Sequence, residues 1–307
     1  MNIHSQFKNN VRNAILQARD NYGGSDAAYA KSIGINSSVY SRLKNGEIDR
    51  IVSDAEWIRL GRELQVNPRE NTWKTARTDV YTQIEDNIKF CQRYSKGMIL
   101  IDICGIGKTY SSQRVTKTLK NAFYFDCSQG KTRQSFIRGL AKTVGIDHAG
   151  RYVDVKANLK YYLNVLENPI ITLDDAGYLD YPAFLEVHEL WNGTENNCGW
   201  YMIGDDSLES KIKKGINSKK IGYAAVFSRF SEEFIHLVPY GHEDRQHYLR
   251  QLIGDVASVN IAELNKVPKI ITKCIKENKT LRNVDTIIRN MNDEQIIKSK
   301  ESLCKEV

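Results

Sequence analysis

A chain of 307 residues with 41% apolar and 26% charged residues has the composition of a folded protein and enough length for two domains. It contains no apolar run of about 18 residues, so no membrane span is expected. Met1-Asn2-Ile3-His4-Ser5 lacks the basic-then-apolar layout of a signal peptide, so a cytoplasmic location is expected. The formal charge of +7 hints at a polyanionic partner without deciding one. Six cysteines (Cys91, Cys104, Cys127, Cys198, Cys274, Cys304) show no pair at metal-ligand spacing and read as reduced thiols.

Residues 1–68 read as a small all-α domain. Ser25 or Asp26 caps a short helix that stops at Gly34, and a second helix covers Asn36 to Lys44, ended by Asn45-Gly46. Two short helices hinged at a glycine have helix-turn-helix geometry, with Ala30, Ile35, Val39 and Leu43 placed to pack together. The face left over offers Ser37, Ser38, Tyr40, Ser41, Arg42 and Lys44, which suits phosphates and base edges in a major groove. This pattern resembles the repressor-type helix-turn-helix of the Xre class. A bundle used for protein contacts is the alternative, because the charge of the domain is nearly balanced. The polar stretch Pro68 to Trp73 reads as a linker.

Residues 72–240 alternate apolar runs with helical stretches, the pattern of an α/β domain with a parallel sheet. The expected strands are Gly97–Ile101, Ala122–Phe125, Pro169–Leu173, Gly199–Gly204 and Glu233–Leu237, each short and apolar throughout. The first runs into Asp102-Ile103-Cys104-Gly105-Ile106-Gly107-Lys108-Thr109, a P-loop pattern. There the amides of Cys104, Gly105, Ile106 and Gly107 turn around phosphates at the start of a helix that continues through Tyr110. Lys108 would reach the β- and γ-phosphates of ATP, and Thr109 would place a hydroxyl on Mg²⁺. Asp102 stands where this motif has glycine, and a carboxylate there is expected to repel the triphosphate.

Ile170-Ile171-Thr172-Leu173-Asp174-Asp175 has the Walker B layout. Asp174 would hold Mg²⁺ through water. Asp175 replaces the usual glutamate that polarises the attacking water, so slow hydrolysis is expected. The strand 199–204 ends at Asp205, a position expected to contact the γ-phosphate or the water. Arg229, in Phe227-Ser228-Arg229-Phe230, reads either as an arginine finger for a neighbouring subunit or as an ordinary surface or salt-bridging arginine. Residues 241–307 are expected to form a helical lid and a frayed charged tail. Arg282 in the lid reads as a nucleotide sensor or as part of a solvated helix face. Two basic stretches, Lys131-Thr132-Arg133 and the run from Lys211 through Lys213 and Lys214 to Lys220, would neutralise DNA phosphates or simply be solvated.

Taken in order, the helix-turn-helix, Gly-Ile-Gly-Lys-Thr, Leu-Asp-Asp-Ala, Ile-Gly-Asp-Asp-Ser-Leu and Phe-Ser-Arg-Phe resemble the transposon AAA+ ATPases typified by phage Mu's B transposition protein, across about residues 20 to 290. The resemblance implies an AAA+ P-loop NTPase with a C-terminal lid that binds duplex DNA without sequence preference. It also implies a helical filament or ring, target DNA selected for a partner transposase, and slow, DNA-stimulated ATP hydrolysis. It places the loop at Lys131 to Arg133 against DNA in the filament pore. The alternative is a helix-turn-helix regulator that reads one operator and carries a nearly inert nucleotide site. A P-loop phosphotransferase gains nothing from Arg229.

Overall fold

The computed structural model describes residues 4–20, 22, 24–64, 66 and 73–291. Cys304, the charged tail and most of the proposed linker lie outside these residues.

Four helices come first: α1 (Ser5–Asp20), α2 (Asp26–Ser32), α3 (Ser37–Lys44) and α4 (Asp54–Glu63). Ser25 caps α2 by accepting from the Ala28 amide, and Gly34 takes the turn at φ +74°. Their core joins Val11, Ile15, Tyr29, Ala30, Leu43, Trp57 and Leu60.

The central body contains α5 (Asp79–Tyr94), β1 (Gly97–Ile101), α6 (Lys108–Thr118), β2 (Ala122–Asp126), α7 (Arg133–Val144), α8 (Tyr152–Val165) and β3 (Ile170–Asp174). It continues with α9 (Tyr181–Gly193), β4 (Gly199–Gly204), α10 (Asp206–Asn217), α11 (Tyr223–Arg229) and β5 (Phe234–Ile235). The strands form one sheet in the order β2-β3-β4-β1-β5, parallel at every pairing. Both faces are covered, which explains why the strand sequences are apolar throughout. Ile99, Ile101, Trp200 and Met202 point into a core with α7 to α11. Their neighbours Leu100, Tyr201 and Ile203 point the other way, against α5 and α6.

The fifth strand is shorter than the expected Glu233–Leu237, and the reason is local. The amides of Leu237 and Val238 donate to the Asp102 side chain at 2.7 and 2.9 Å. The chain therefore turns to that carboxylate just where the strand was expected to run on.

A C-terminal helical block follows: α12 (His242–Asn260), α13 (Val267–Lys276) and a helix over 281–291. They share a core around Ile253, Ala257, Ile270, Cys274 and Val284. Trp73 and Ala76 pack on this core, and Asn260 bonds both the amide and the carbonyl of Lys74. The segment leading into α5 thus packs against the helical block. Among the described residues no helix is long and apolar enough to cross a membrane.

Candidate functional site

Parallel strands place their C-terminal ends, and the loops that follow, along one rim. The loop after β1 turns at Gly105 (φ +82°) and Gly107 (φ +100°), a backbone region costly for any residue with a Cβ. Gly107 directly precedes α6, whose first amides have no intrahelical partners and so face the loop as donors. Lys108 Nζ donates to the carbonyls of Asp102 (2.6 Å) and Ile103 (2.8 Å). Burial pushes this lysine below its usual range, and the negative charges around it act in the opposite direction. A terminal phosphate would be a better acceptor than two neutral carbonyls. Thr109 is exposed beside it. The Tyr110 hydroxyl bonds Thr75 Oγ1 at 2.6 Å, which fastens the segment before α5 to α6. That contact gives Tyr110 a structural partner that the sequence did not show.

Asp102 does not act as the sequence led one to expect. Its side chain is buried, with relative exposure of 4%. One oxygen accepts from the Ile103 amide at 2.7 Å, and the other from the amides of Leu237 and Val238. Three backbone donors occupy the carboxylate, so it serves as a clamp between the P-loop and the segment after β5. The expected bare charge facing the triphosphate is corrected accordingly.

In the sheet β3 and β2 end in acid, at Asp174 and Asp126, and β4 is followed directly by Asp205. Asp174 is buried; its Oδ2 accepts from the Tyr124 hydroxyl at 2.7 Å and its Oδ1 from the Asp175 amide at 3.0 Å. Tyr124 was missed from sequence. It lies on β2, and only the β2–β3 register (Tyr124 beside Thr172) brings it near Asp174. Burial, and then Asp174 itself, hold the Tyr124 hydroxyl protonated as a donor. Asp205 accepts from both the amide (3.0 Å) and the hydroxyl (2.5 Å) of Ser207, capping α10, and from the Cys104 thiol at 3.8 Å. These bonds hold Asp205 below the usual carboxylate range. It is therefore a helix cap that also touches the P-loop.

Asp175 sits in the left-handed region (φ +51°) and is exposed. Loss of water and then the charges of Asp174, Asp126 and Asp205 raise its pKa, against Lys108. A carboxyl with a raised folded-state pKa favours folding below its unfolded value, and that benefit is lost as pH rises through the folded value. Asp175→Asn, which tolerates positive φ, should therefore melt above the wild type at pH 7, and the two should converge toward pH 4. Equal melting temperatures at every pH would refute this acidic cluster.

The residues fit a nucleoside triphosphate with Mg²⁺. The loop amides and Lys108 would take the phosphates, and Thr109 and Asp174 would take the metal. Among the described residues no group of three His, Cys, Asp or Glu could hold a metal by itself. The metal would thus arrive with the phosphates.

Residues 91–212 match the family model described as an AAA domain. No curated protein sequence matches the chain. Among solved structures, the Aeropyrum pernix Orc1 protein in complex with DNA is similar at 15% identity and a TM-score of 0.50. That match covers 69% of this chain, which in turn spans 58% of the Orc1 chain. The fold is that of an AAA+ P-loop NTPase.

In the AAA+ body Arg229 lies far from its own P-loop. A Cβ on Gly97, the first residue of β1, would meet the Arg229 carbonyl at 2.7 Å. The P-loop leaves the other end of the same strand, about 13 Å away. Arg229 donates to Asn192 Oδ1 (2.5 Å) and the Ala225 carbonyl (2.9 Å) and lies 5.5 Å from the Trp191 ring. These partners are all neutral, an arrangement compatible with an ordinary surface arginine as well as with an arginine finger. Arg282 is exposed one residue after Leu281, whose amide donates to the Gly105 carbonyl at 3.0 Å. The start of the 281–291 helix therefore touches the P-loop of the AAA+ body.

The DNA-binding candidates divide. Ser37, Ser38, Arg42 and Lys44 are exposed on α3, but Tyr40 is 3% exposed and packs edge-on against Tyr29. Its ring sits on the core side of the helix, correcting the expected placement. Arg42 pairs with Glu47 and Lys44 with Asp26. In the first basic stretch, Thr132 caps α7, and Arg133 bonds Glu186 (2.6 Å) and the Tyr152 hydroxyl (3.1 Å). Glu186 is buried, whereas the Arg133 side chain is 54% exposed, so these bonds fix its Nε and leave the rest of the guanidinium facing solvent. Lys131 lies over the exposed Tyr178 ring. Lys213 pairs with Glu209, whereas Lys214 is exposed and has no ion-pair partner among the described residues.

Proposed function

We propose that this chain is an ATP-dependent, DNA-stimulated ATPase that assembles on duplex DNA without reading sequence and presents that DNA to a transposase. The position of Arg229 carries the reading. Its backbone lies about one strand length from its own P-loop and its guanidinium bonds Asn192 and the Ala225 carbonyl there, so it would act on phosphates of another copy. Contacts between opposite ends of the sheet are heterologous, and repeating them closes a ring or extends a helical filament. ATP and Mg²⁺ would then sit between Lys108, Thr109 and Asp174 of one subunit and Arg229 of the next. Asp175 would orient the attacking water and Asp205 would sense the γ-phosphate, so the nucleotide state would switch assembly. The Orc1 neighbour was solved with DNA, which supports DNA as the ligand class, and the order of motifs supports the transposase partner.

Arg229→Ala should keep the ATP affinity of the single subunit and lose at least about 100-fold in DNA-stimulated turnover. Electron microscopy with duplex and a non-hydrolysable analogue should show filaments for the wild type and bare DNA for the variant. Unchanged turnover would remove the arginine finger, and bare DNA with the wild type would remove the filament. The operator-reading regulator is the weaker reading, because both cations of α3 are engaged with acids.

A further inference from the structure

We infer that the open cleft of about 490 Å³ along α10 is a seat for DNA backbone phosphates, with Lys214 and Lys220 as its direct contacts. The inference rests on the DNA-binding reading above and assigns that reading a place on the molecule. Three lysines (Lys211, Lys214, Lys220) and three serines (Ser207, Ser210, Ser218) line the cleft, and no acid does. The Ser207 and Ser218 hydroxyls already donate to Asp205 and to the Gly215 carbonyl, so it is the like charges gathered without an acid in the lining that suit a phosphate ester.

Each lysine has a defined state. Lys211 donates to the carbonyls of Gly177 and Leu179 and forms the floor. Burial is the main cause of its lowered pKa; the charge of Lys220 adds to it, and Asp180 opposes it. Asp180 is already occupied in capping α9, through the Ala183 amide. Lys220 rests 3.8 Å above the Tyr181 ring, a contact that orders the ammonium yet leaves its protons available to oxygen acceptors. Lys214 is exposed and, among the described residues, has no ion-pair partner. The neighbouring Lys213 pairs with Glu209 and is not part of the lining.

The cleft is also connected to the nucleotide site. Ser207 on its wall is bonded twice by Asp205, and Asp205 accepts from Cys104 inside the P-loop. The carbonyls that hold Lys211 belong to the turn immediately after Asp175. A change of bonding around the phosphates thus reaches the cleft through two short routes.

The test compares Lys214→Gln/Lys220→Gln with the wild type and with a control of equal charge loss far from the cleft, Lys89→Gln/Lys120→Gln. Binding to a random-sequence duplex is measured against salt in the presence of a non-hydrolysable ATP analogue. The cleft variant should melt with the wild type, bind at least tenfold more weakly, and show a salt slope smaller by about 2, one unit for each lost phosphate contact. The control should keep the wild-type slope. A wild-type slope in the cleft variant, or the same loss in both variants, overturns the seat while DNA binding stands. A wild type that binds no duplex overturns the proposed function, and the seat with it.

Discussion

Lys108→Ala should lower ATP affinity by about 100-fold or more while leaving the fold in place. The amine donates to the carbonyls of Asp102 and Ile103, at the mouth of a loop whose glycines set its shape. Its removal deletes no apolar packing from either face of the sheet, and two loop carbonyls regain water. A charge-assisted hydrogen bond to phosphate in a partly desolvated site contributes about 1.5–3 kcal/mol, and Lys108 would make more than one. Burial already lowers its pKa, so a bound phosphate would favour the charged form. Titration with a fluorescent ATP analogue, alongside a melting curve, separates the two effects. Undiminished affinity would sink the nucleotide-binding reading. Lost affinity with a collapsed melting curve would show that Lys108 holds the loop together.

The parts legible in sequence are those set by local chemistry. Period-independent apolar runs gave the places of all five strands, because a parallel sheet covered on both faces has no polar side to reveal. Glycine positions gave the P-loop, because positive φ is a residue-level demand. The illegible parts depend on contacts between distant segments. Tyr124 reaches Asp174 only through the β2–β3 register. Arg133 looked free because Glu186, its partner, is 53 residues away in the chain. Tyr40 was placed on the exposed face because a short helix does not fix how far its buried stripe extends, and the Tyr29 ring draws it inward. The basic run from Lys211 to Lys220 read as uniform, whereas Lys211 forms the floor of a cleft, Lys213 pairs with Glu209, Lys220 rests over the Tyr181 ring, and Lys214 and Lys219 are exposed.

Asp102→Gly is the sharpest contrast between the two levels of reading. Restoring the glycine usual at this position removes a negative charge near the phosphates, and sequence logic alone predicts tighter ATP binding. The structure predicts the reverse. The carboxylate accepts from the amides of Ile103, Leu237 and Val238, and the last two belong to the segment that leads into the lid helices. A buried donor left without an acceptor costs about 1–3 kcal/mol. The added backbone freedom of glycine costs roughly 0.5–1 kcal/mol more. With the Ile103 amide able to recover water at the loop, the net loss should be about 4 kcal/mol. At about 2–4 °C per kcal/mol for a body of this size, the melting temperature should fall by roughly 10 °C. ATP affinity should fall as well, because the first residue of the loop loses its anchor to the β5 edge. Asp102→Asn, which keeps one acceptor oxygen, should lie between the two. A glycine variant that melts with the wild type and binds ATP more tightly would show that repulsion outweighs the clamp, and the sequence logic would then hold.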